Sequence, residues 1–188
     1  MISTARRAIF LDRDGTLNHD SGYVHRWEDW RWLPGVPEAL ARFKAAGWLL
    51  VVVSNQSGIA RGLFGEREVQ ALHARINAQL HPLGAAVDAW YHCPHLPEIS
   101  GPCACRKPAP GLLLRAVREW DIDPAASWMI GDRLRDVQAG RAAGCRPILL
   151  RTGWGEKEAV GLARQAGPPI PVLPDLAAAC AYILGQKP

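Results

Sequence analysis

The stretch "AIFLDRDGTLNHD", residues 8–20, changes from apolar to polar after its fourth residue. Ala8–Leu11 is predicted to form a buried strand, and Asp12 and Asp14 follow at its end with Arg13 between them. Because side chains alternate along an extended chain, the two carboxylates should lie on one side, with Arg13 turned away. Aspartate and glycine are also common in solvated turns, so this stretch alone leaves both a turn and a chemical site open.

Apolar runs alternate with helix-period segments along the chain, a pattern typical of an α/β fold. The predicted strands are 8–11, 49–54, 89–92, 128–130, 148–150 and a weak 170–173. The predicted helices are 37–46, 66–80, 111–120, 134–143, 157–165 and 175–184. Strand runs such as "LLVVVS" are apolar throughout, as in parallel strands covered on both faces. We therefore expect a Rossmann-like parallel sheet flanked by helices.

Length and composition exclude several classes of protein. The 188 residues are 48% hydrophobic and 21% charged, with a formal net charge of +4. One domain over residues 1–188 is expected, and the intervals between the polar strand ends are too short for a large cap domain. Scattered basic residues argue against nucleic-acid binding. No apolar run approaches a membrane span and "MISTARR" lacks a signal-peptide core, so we expect a cytoplasmic protein. Nothing in the sequence demands a dimer, and without a cap domain a monomer is expected.

Polar side chains follow several predicted strands, at the edge where ligands of an open parallel sheet bind. They are Asp12 and Asp14 after the first strand, Ser54 and Asn55 after the second, Lys107 before helix 111–120, and Asp132 and Asp136 after strand 128–130. Because the carboxyl ends of parallel strands share one edge, we expect these side chains to meet.

These residue types suit magnesium-dependent phosphoryl transfer. An all-oxygen cluster of Asp12, Asp14 and Asp132 favours Mg²⁺ over a softer metal. Lys107 and the Ser54 hydroxyl would bind the phosphoryl oxygens. Asp12 would attack phosphorus, while Asp14 would protonate the leaving oxygen and later activate water.

The stretch at residues 8–20 contains the first of four sequence motifs. "FLDRDGTL", "VVVSNQSG", the lysine of "CRKPAPG" and "MIGDRLRD" resemble the ordered motifs of haloacid-dehalogenase-superfamily phosphatases, over about residues 8–155. The resemblance implies that Asp12 becomes an aspartyl-phosphate and that Asp14 is the general acid and base. It also implies that Mg²⁺ is bound by the carboxylates of Asp12 and Asp132 and by the backbone carbonyl of Asp14. Asp136, one helical turn after Asp132, is expected to support the helix terminus rather than bind the metal.

The segment "CPHLPEISGPCACRKPAP", residues 93–110, interrupts the alternation and carries five prolines. Three thiols and one imidazole here form a complete tetrahedral set for a structural Zn²⁺, with reduced core cysteines as the alternative. The predicted ligands are Cys93, His95, Cys103 and Cys105. His92 is an alternative to His95. Such a zinc would hold the loop 92–110 against the phosphoryl site.

This zinc loop resembles two related groups, the D-glycero-D-manno-heptose-1,7-bisphosphate 7-phosphatases and the histidinol-phosphate phosphatases. "DSGYVH" and "SNQSGIARGLF" resemble the heptose enzymes, which act in heptose supply for lipopolysaccharide. The short step from Cys93 to Cys103 also suits the histidinol group, which stays an alternative. A zinc-organised binding module, with the aspartates in a turn, is the alternative of a different class.

Resemblance to the heptose enzymes implies a binding surface for a sugar bisphosphate. Its predicted residues are Asp20, Ser21, Gly22, Tyr23, Asn55, Gln56, Ser57, Arg106 and Arg133. The second phosphate of such a substrate suits bidentate arginine contacts, and Arg106 is our first choice for it. Trp27, Trp30 and Trp32 are expected to pack against the domain rather than stack on the substrate.

Overall fold

Six short parallel strands form a single sheet in the computed structural model, which describes residues 5–162 and 168–186. The strands are β1 (Ala8–Leu11), β2 (Leu49–Asn55), β3 (Ala89–Cys93), β4 (Trp128–Gly131), β5 (Arg146–Leu150) and β6 (Val172–Leu173). Their order across the sheet is β3-β2-β1-β4-β5-β6, and every neighbouring pair is parallel.

The described helices connect these strands. They are α1 (Val36–Ala45), α2 (Glu66–Leu80), α3 (Pro97–Ser100), α4 (Gly111–Trp120), α5 (Leu134–Ala142), α6 (Gly155–Leu162) and α7 (Leu176–Gly185). Short 3-10 helices occupy Trp27–Asp29 and His81–Leu83. The expected α/β class, with a Rossmann-like parallel sheet between helices, is confirmed.

Both faces of the sheet are buried because side chains alternate along its strands. From β1, Ile9 and Leu11 face the core formed with α1, α2 and α7. Ala8 and Phe10 face the opposite core, to which α4 and α5 contribute. All four side chains are 0% exposed, so each large one contributes about 1.5–3 kcal/mol of hydrophobic stabilisation. This two-sided burial explains why the strand sequences are apolar throughout.

The predicted elements differ from the structure mainly at their ends. Strand β5 begins at Arg146, two residues before its predicted start, because Arg146 N donates to Ser127 O at 3.0 Å and extends the ladder. Helix α6 also begins earlier, at Gly155, and residues 163–165 of its prediction lie outside the described residues. The proline-rich segment contains only the single turn α3, as its composition predicts.

The topology places a crevice between β1 and β4. The chain runs from β1 to β2 and β3 on one side, then crosses to β4 and continues on the other side. Loops diverge where the strand order reverses, which is where open α/β sheets bind ligands. Asp12 follows β1 and Asp132 follows β4, and Asp12 N donates to Ile130 O at 2.9 Å. The two carboxylates are therefore brought to this crevice.

Within residues 5–162 and 168–186, no large cap covers the crevice. Between β1 and β2, residues 12–48 contain only a 3-10 turn and α1, and residues 94–110 contain only α3. The tryptophans of the first interval pack inward: Trp30 is 4% exposed and lies edge-on to Trp32, with ring centroids 5.1 Å apart. Among the described residues, no helix is long and apolar enough to cross a membrane.

A buried histidine makes the stability of the fold depend on pH. His73 of α2 stacks on Trp90 with ring centroids 4.2 Å apart, and its Nε2 has no hydrogen-bond partner in the described part of the chain. Burial, with a smaller contribution from the charge of Arg13, lowers the pKa of His73 to about 2. In the unfolded chain, His73 is protonated below its usual pKa of 6.5, whereas in the folded chain it stays neutral down to much lower pH. Protonation therefore favours the unfolded chain, and the free energy of unfolding falls as the pH falls below 6.5.

We therefore predict that His73→Phe makes stability less sensitive to acid. Relative to the parent protein, its free energy of unfolding should gain about 1.4 kcal/mol between pH 7.5 and pH 5.5. Urea titrations at both pH values measure the gain, and exposed His81→Gln should show none. A gain equal in both variants would contradict the assignment.

Candidate active site

The ammonium group of Lys107 joins the ends of two strands. Its Nζ lies 2.8 Å from Asp12 Oδ1 and 2.7 Å from the carbonyl oxygen of Val53, and its side chain is fully buried. A third partner, Asp136 Oδ1, lies 2.7 Å away. Burial opposes the charged amine, but the carboxylates of Asp12 and Asp136 raise the pKa of Lys107 above its usual value. Positive charge is therefore fixed beside the Asp12 carboxylate.

Asp136 is completely buried in the first turn of α5. Its Oδ2 accepts a hydrogen bond from Arg133 N at 3.0 Å, which caps the helix, while its Oδ1 faces Lys107. Burial raises the pKa of Asp136, and the charge of Lys107 opposes that rise. This geometry matches the expectation that Asp136 supports the helix terminus, and it adds a role in holding Lys107.

Asp132 lies directly after β4 and faces the loop after β1. Trp154 N donates to its Oδ2 at 2.8 Å, whereas its buried Oδ1 accepts no hydrogen bond from any residue that the structure describes. A Cβ atom at Gly15 or Gly153 would overlap this carboxylate, so both close approaches require glycine. Burial, and then the charge of Asp12, raise the pKa of Asp132 to about 7.

The buried acids fit a hard divalent cation. Carboxylate oxygens of Asp12, Asp132 and Asp136 all lie within 4.8 Å of one another. One ammonium cannot neutralise three carboxylates, and the unpartnered oxygen of Asp132 requires a ligand or donor. Because Asp136 already holds Lys107 and the helix terminus, Asp12 and Asp132 are the carboxylates best placed to bind Mg²⁺.

Asp14 forms a bidentate ion pair with Arg13. Nη2 of Arg13 lies 2.8 Å from Asp14 Oδ2, and its Nε lies 3.1 Å from Oδ1. Arg13 is 0% exposed and also donates to the carbonyl oxygen of Val24 at 2.5 Å. The expectation that Arg13 turns away from the carboxylates is therefore wrong. Its long side chain bends back because a buried guanidinium requires a counter-charge.

Gln56 connects Asp14 to Ser54. Its Nε2 lies 2.9 Å from Asp14 Oδ2 and 2.6 Å from Ser54 Oγ, and its Oε1 accepts from Arg13 at 3.2 Å. Asn18 Nδ2 donates to Asp14 Oδ1 at 3.0 Å. Arg13, Asn18 and Gln56 thus orient the carboxylate of Asp14, the predicted general acid and base. Gln56 also holds the buried hydroxyl of Ser54.

Asn55 uses both ends of its amide on the backbone of Lys107. Its Oδ1 accepts from Lys107 N at 3.1 Å, and its Nδ2 donates to Lys107 O at 3.0 Å. From the sequence, Asn55 was expected at the end of the second strand and at the substrate surface. In the structure its amide fixes the segment that carries the buried lysine.

A cavity of about 270 Å³ opens beside Asp14. Most predicted substrate-binding residues line it: Asp20, Gly22, Tyr23, Asn55, Gln56, Ser57 and Arg133. Ser21 and Arg106 are not among the lining residues, and Arg106 Nη1 instead donates to His95 O at 3.0 Å. Arg135 lines the cavity although sequence reasoning missed it. Its place in the first turn of α5, three residues after Asp132, is the signal that could have found it.

The four predicted zinc ligands meet at the end of β3. Donor atoms of Cys93, His95, Cys103 and Cys105 lie within 4.8 Å of one another. The closest pair is Cys105 Sγ and Cys93 Sγ, 3.1 Å apart, and Cys105 Sγ lies 3.3 Å from His95 Nδ1. His92, the alternative ligand, pairs with Glu66 instead.

This donor set fits Zn²⁺. Three sulfurs and one imidazole nitrogen are a tetrahedral zinc set, and none of the five cysteines forms a disulfide. Burial raises the pKa values of the Cys93 and Cys105 thiols, a cost that ligation of a cation by thiolates offsets. Cys145 and Cys180 lie outside this cluster, buried in the two cores.

Known proteins are similar to this chain in sequence. A HAD-hydrolase-like family model matches residues 104–179. A D-glycero-beta-D-manno-heptose-1,7-bisphosphate 7-phosphatase from Haemophilus ducreyi is 46% identical over 165 residues, covering 82% of this chain and 91% of the relative. A D-glycero-D-manno-heptose-1,7-bisphosphate 7-phosphatase from Thermosynechococcus vestitus is 42% identical over 187 residues, covering 95% of each chain. The chain belongs to the D-glycero-D-manno-heptose-1,7-bisphosphate 7-phosphatase family.

A solved member of the heptose-bisphosphate phosphatase family has the same fold. The D,D-heptose 1.7-bisphosphate phosphatase from B. bronchiseptica, complexed with magnesium and phosphate, superposes with a TM-score of 0.87. It is 42% identical, and the match covers 96% of this chain and 99% of that one. The haloacid-dehalogenase-like fold and the phosphatase class expected from the four motifs are therefore confirmed.

In this member of the heptose-bisphosphate phosphatase family, the fold should depend on Lys107, which pairs with the buried carboxylates of Asp12 and Asp136. Lys107→Met leaves Asp12 and Asp136 as unpaired buried carboxylates. In magnesium-free buffer at pH 7.5, it should lower the free energy of unfolding by about 3–5 kcal/mol. Adding Asp136→Asn to the variant should recover part of that loss, because one of the two charges is removed.

Urea denaturation measures both effects. The matched control is Lys44→Met, which breaks a partly exposed pair with Asp88 at 2.7 Å and should cost about 1 kcal/mol or less. An equally small loss of unfolding free energy in Lys107→Met and Lys44→Met would show that the ammonium of Lys107 does not stabilise the buried carboxylates.

Proposed function

We propose that the chain is a magnesium-dependent phosphatase that removes the 7-phosphate of D-glycero-D-manno-heptose 1,7-bisphosphate. The observation that carries the proposal is the meeting of Asp12, Asp132 and charged Lys107 in the β1–β4 crevice. Relatives that are 42–47% identical over most of the chain are heptose-1,7-bisphosphate 7-phosphatases, which supports this substrate. The reaction would supply a heptose 1-phosphate for lipopolysaccharide precursors.

The side chains around Asp12 are suited to hold the transferred phosphoryl group. Lys107 and the Ser54 hydroxyl bind its oxygens, and both are already oriented by neighbouring groups. Mg²⁺ bound by Asp12, Asp132 and the carbonyl oxygen of Asp14 supplies positive charge that offsets the charge of the phosphate. Because these positive charges offset the negative charge of the phosphoryl oxygens, the Asp12 carboxylate can approach phosphorus with less electrostatic repulsion.

Asp12 and Asp14 divide the chemistry into two steps. In the first, Asp12 attacks phosphorus, the bond from phosphorus to the sugar oxygen breaks, and Asp14 gives its proton to that oxygen. In the second, ionised Asp14 takes a proton from water as the water attacks the aspartyl-phosphate. Inorganic phosphate leaves and Asp12 is regenerated. Arg13, Asn18 and Gln56 orient the Asp14 carboxylate for both transfers.

We further propose that Zn²⁺ bound by Cys93, His95, Cys103 and Cys105 is structural. Four protein ligands complete a tetrahedral site and leave no open position for chemistry. Such an ion would restrain the proline-rich loop, and Cys105 lies two residues before Lys107. We also propose the cytoplasmic location that the sequence predicts, since reducing compartments keep such thiols available for a metal.

The test of function compares phosphate release from both anomers of heptose 1,7-bisphosphate and from histidinol phosphate. With Mg²⁺ present, we expect kcat/KM for a heptose bisphosphate to exceed that for histidinol phosphate at least about 100-fold. Asp12→Asn should lower activity by about 10⁴-fold or more, because the nucleophile is lost. Exposed Asp29→Asn should leave it unchanged.

Preference for histidinol phosphate would replace the proposed substrate and keep the mechanism. Activity that survives Asp12→Asn would remove Asp12 as nucleophile. A folded, zinc-loaded protein without activity on any of the three substrates would favour a binding module.

The zinc proposal predicts a selective effect of cysteine changes. Cys105→Ser should lose the metal and lower both the melting temperature and kcat, because the segment leading to Lys107 is no longer restrained. Cys145→Ala, a change of a core cysteine, should keep one zinc per chain. Elemental analysis of protein purified without chelators measures this, and zinc retained at full occupancy in Cys105→Ser would contradict the assignment.

A further inference from the structure

The turn after β5 is bonded to both loops that carry the proposed magnesium ligands. Thr152 Oγ1 donates to the carbonyl oxygen of Gly15, in the loop after β1, at 2.7 Å. Two residues later, Trp154 N donates to Asp132 Oδ2, in the loop after β4, at 2.8 Å. Residues 152–154 therefore connect two loops that are distant in sequence.

This turn is itself fixed at both ends. Arg151 N donates to Leu173 O at 2.8 Å, which continues the pairing of β5 with β6. Gly155 N donates to Thr152 O at 2.8 Å, which closes the turn at the start of α6. Gly155 is buried, and a Cβ atom there would overlap the backbone of β5. The turn is therefore held against the sheet and can act as a fixed support for the two loops.

Each contact of the turn restrains a group that the proposed Mg²⁺ site needs. Because Trp154 N occupies Oδ2 of Asp132, the oxygen left without a donor among the described residues is Oδ1. Gly15 shares a peptide bond with Asp14, whose backbone carbonyl is another proposed ligand. Holding Gly15 O restrains that peptide, so the turn fixes the separation of two ligands from different loops.

The three segments are packed too closely to move independently. A Cβ atom at Gly15 or at Gly153 would overlap the carboxylate of Asp132, and a Cβ atom at Gly153 would also overlap Gly15. Any displacement of the turn is therefore transmitted to Asp132 and to the loop after β1.

We propose that Thr152 is a positioning residue of the magnesium site. The inference rests on the proposed function, because it takes Asp12, Asp14 and Asp132 as the ligands. Mg²⁺ demands near-ideal octahedral geometry, so ligands from separate loops must be held at the correct spacing. Restraint that exists before the ion arrives reduces the cost of ordering the ligands and raises the affinity. The Thr152 hydroxyl supplies this restraint through the backbone of Gly15.

The experiment measures Mg²⁺ binding by calorimetry without substrate. Thr152→Val keeps the shape of the side chain and removes its hydroxyl, whereas Thr152→Ser keeps the hydroxyl. The Kd for Mg²⁺ should rise about 5- to 10-fold in Thr152→Val and stay within about twofold of the parent value in Thr152→Ser. The matched control is Arg151→Gln in the same turn, which breaks the exposed pair with Glu156 at 2.8 Å and should leave the Kd unchanged.

A purely structural role for Thr152 gives a different pattern. Thr152→Val would then lower the melting temperature, and phosphate release at every Mg²⁺ concentration, while the Kd for Mg²⁺ stayed at the parent value. That result would overturn the inference. In the positioning role, the Mg²⁺ concentration for half-maximal phosphate release rises together with the Kd, and kcat at saturating Mg²⁺ is retained.

Failure of the proposed function is distinguishable from failure of this inference. A parent protein that binds Mg²⁺ but releases no phosphate from heptose 1,7-bisphosphate would refute the proposed function, whereas the comparison of Kd values needs no substrate. Should Thr152→Val not fold, Thr152→Ala also lacks the hydroxyl and makes the same comparison.

Discussion

The ammonium of Lys107 is the charge on which the rest of the site depends. It is fully buried and contacts Asp12 after β1, Val53 in β2 and Asp136 in α5. Neither carboxylate is favourable in this interior without it, and the amine is not favourable without them. One charge balance thus connects two strands, a helix terminus and the segment that follows the zinc ligands. The same ammonium leaves positive charge where a phosphoryl group would meet Asp12.

Most of the fold was predictable because its signals are local. Apolar runs such as residues 49–54 mark strands covered on both faces, and β2 extends only one residue further. The spacing of polar residues at strand ends also placed Asp12, Lys107 and Asp132 at one edge, since parallel strands share that edge. Four cysteine and histidine donors close in sequence predicted a cluster that the structure brings together. Periodicity and strand topology are enough to predict these features from the sequence.

Side-chain direction was the part that sequence could not supply. Alternation along a strand predicted that Arg13 would point away from Asp14, but a flexible side chain can bend back to a counter-charge, and Arg13 does. Arg106 and Arg135 are indistinguishable by residue type, yet Arg106 donates to a backbone carbonyl, whereas Arg135 lines the cavity and forms no ion pair with a described residue. Such outcomes depend on which acceptors remain free after the chain has packed.

In the proposed mechanism, Asp12 carries the phosphoryl group during turnover. An Asp14→Asn variant, in which the second step is slowed, should be mixed with heptose bisphosphate, quenched in acid within milliseconds and reduced with borohydride. Reduction converts an aspartyl-phosphate to homoserine, which mass spectrometry locates in the peptide. If Asp12 is the nucleophile, homoserine is expected at position 12. Consumption of one equivalent of substrate with position 12 unmodified, or homoserine at another aspartate, would contradict it.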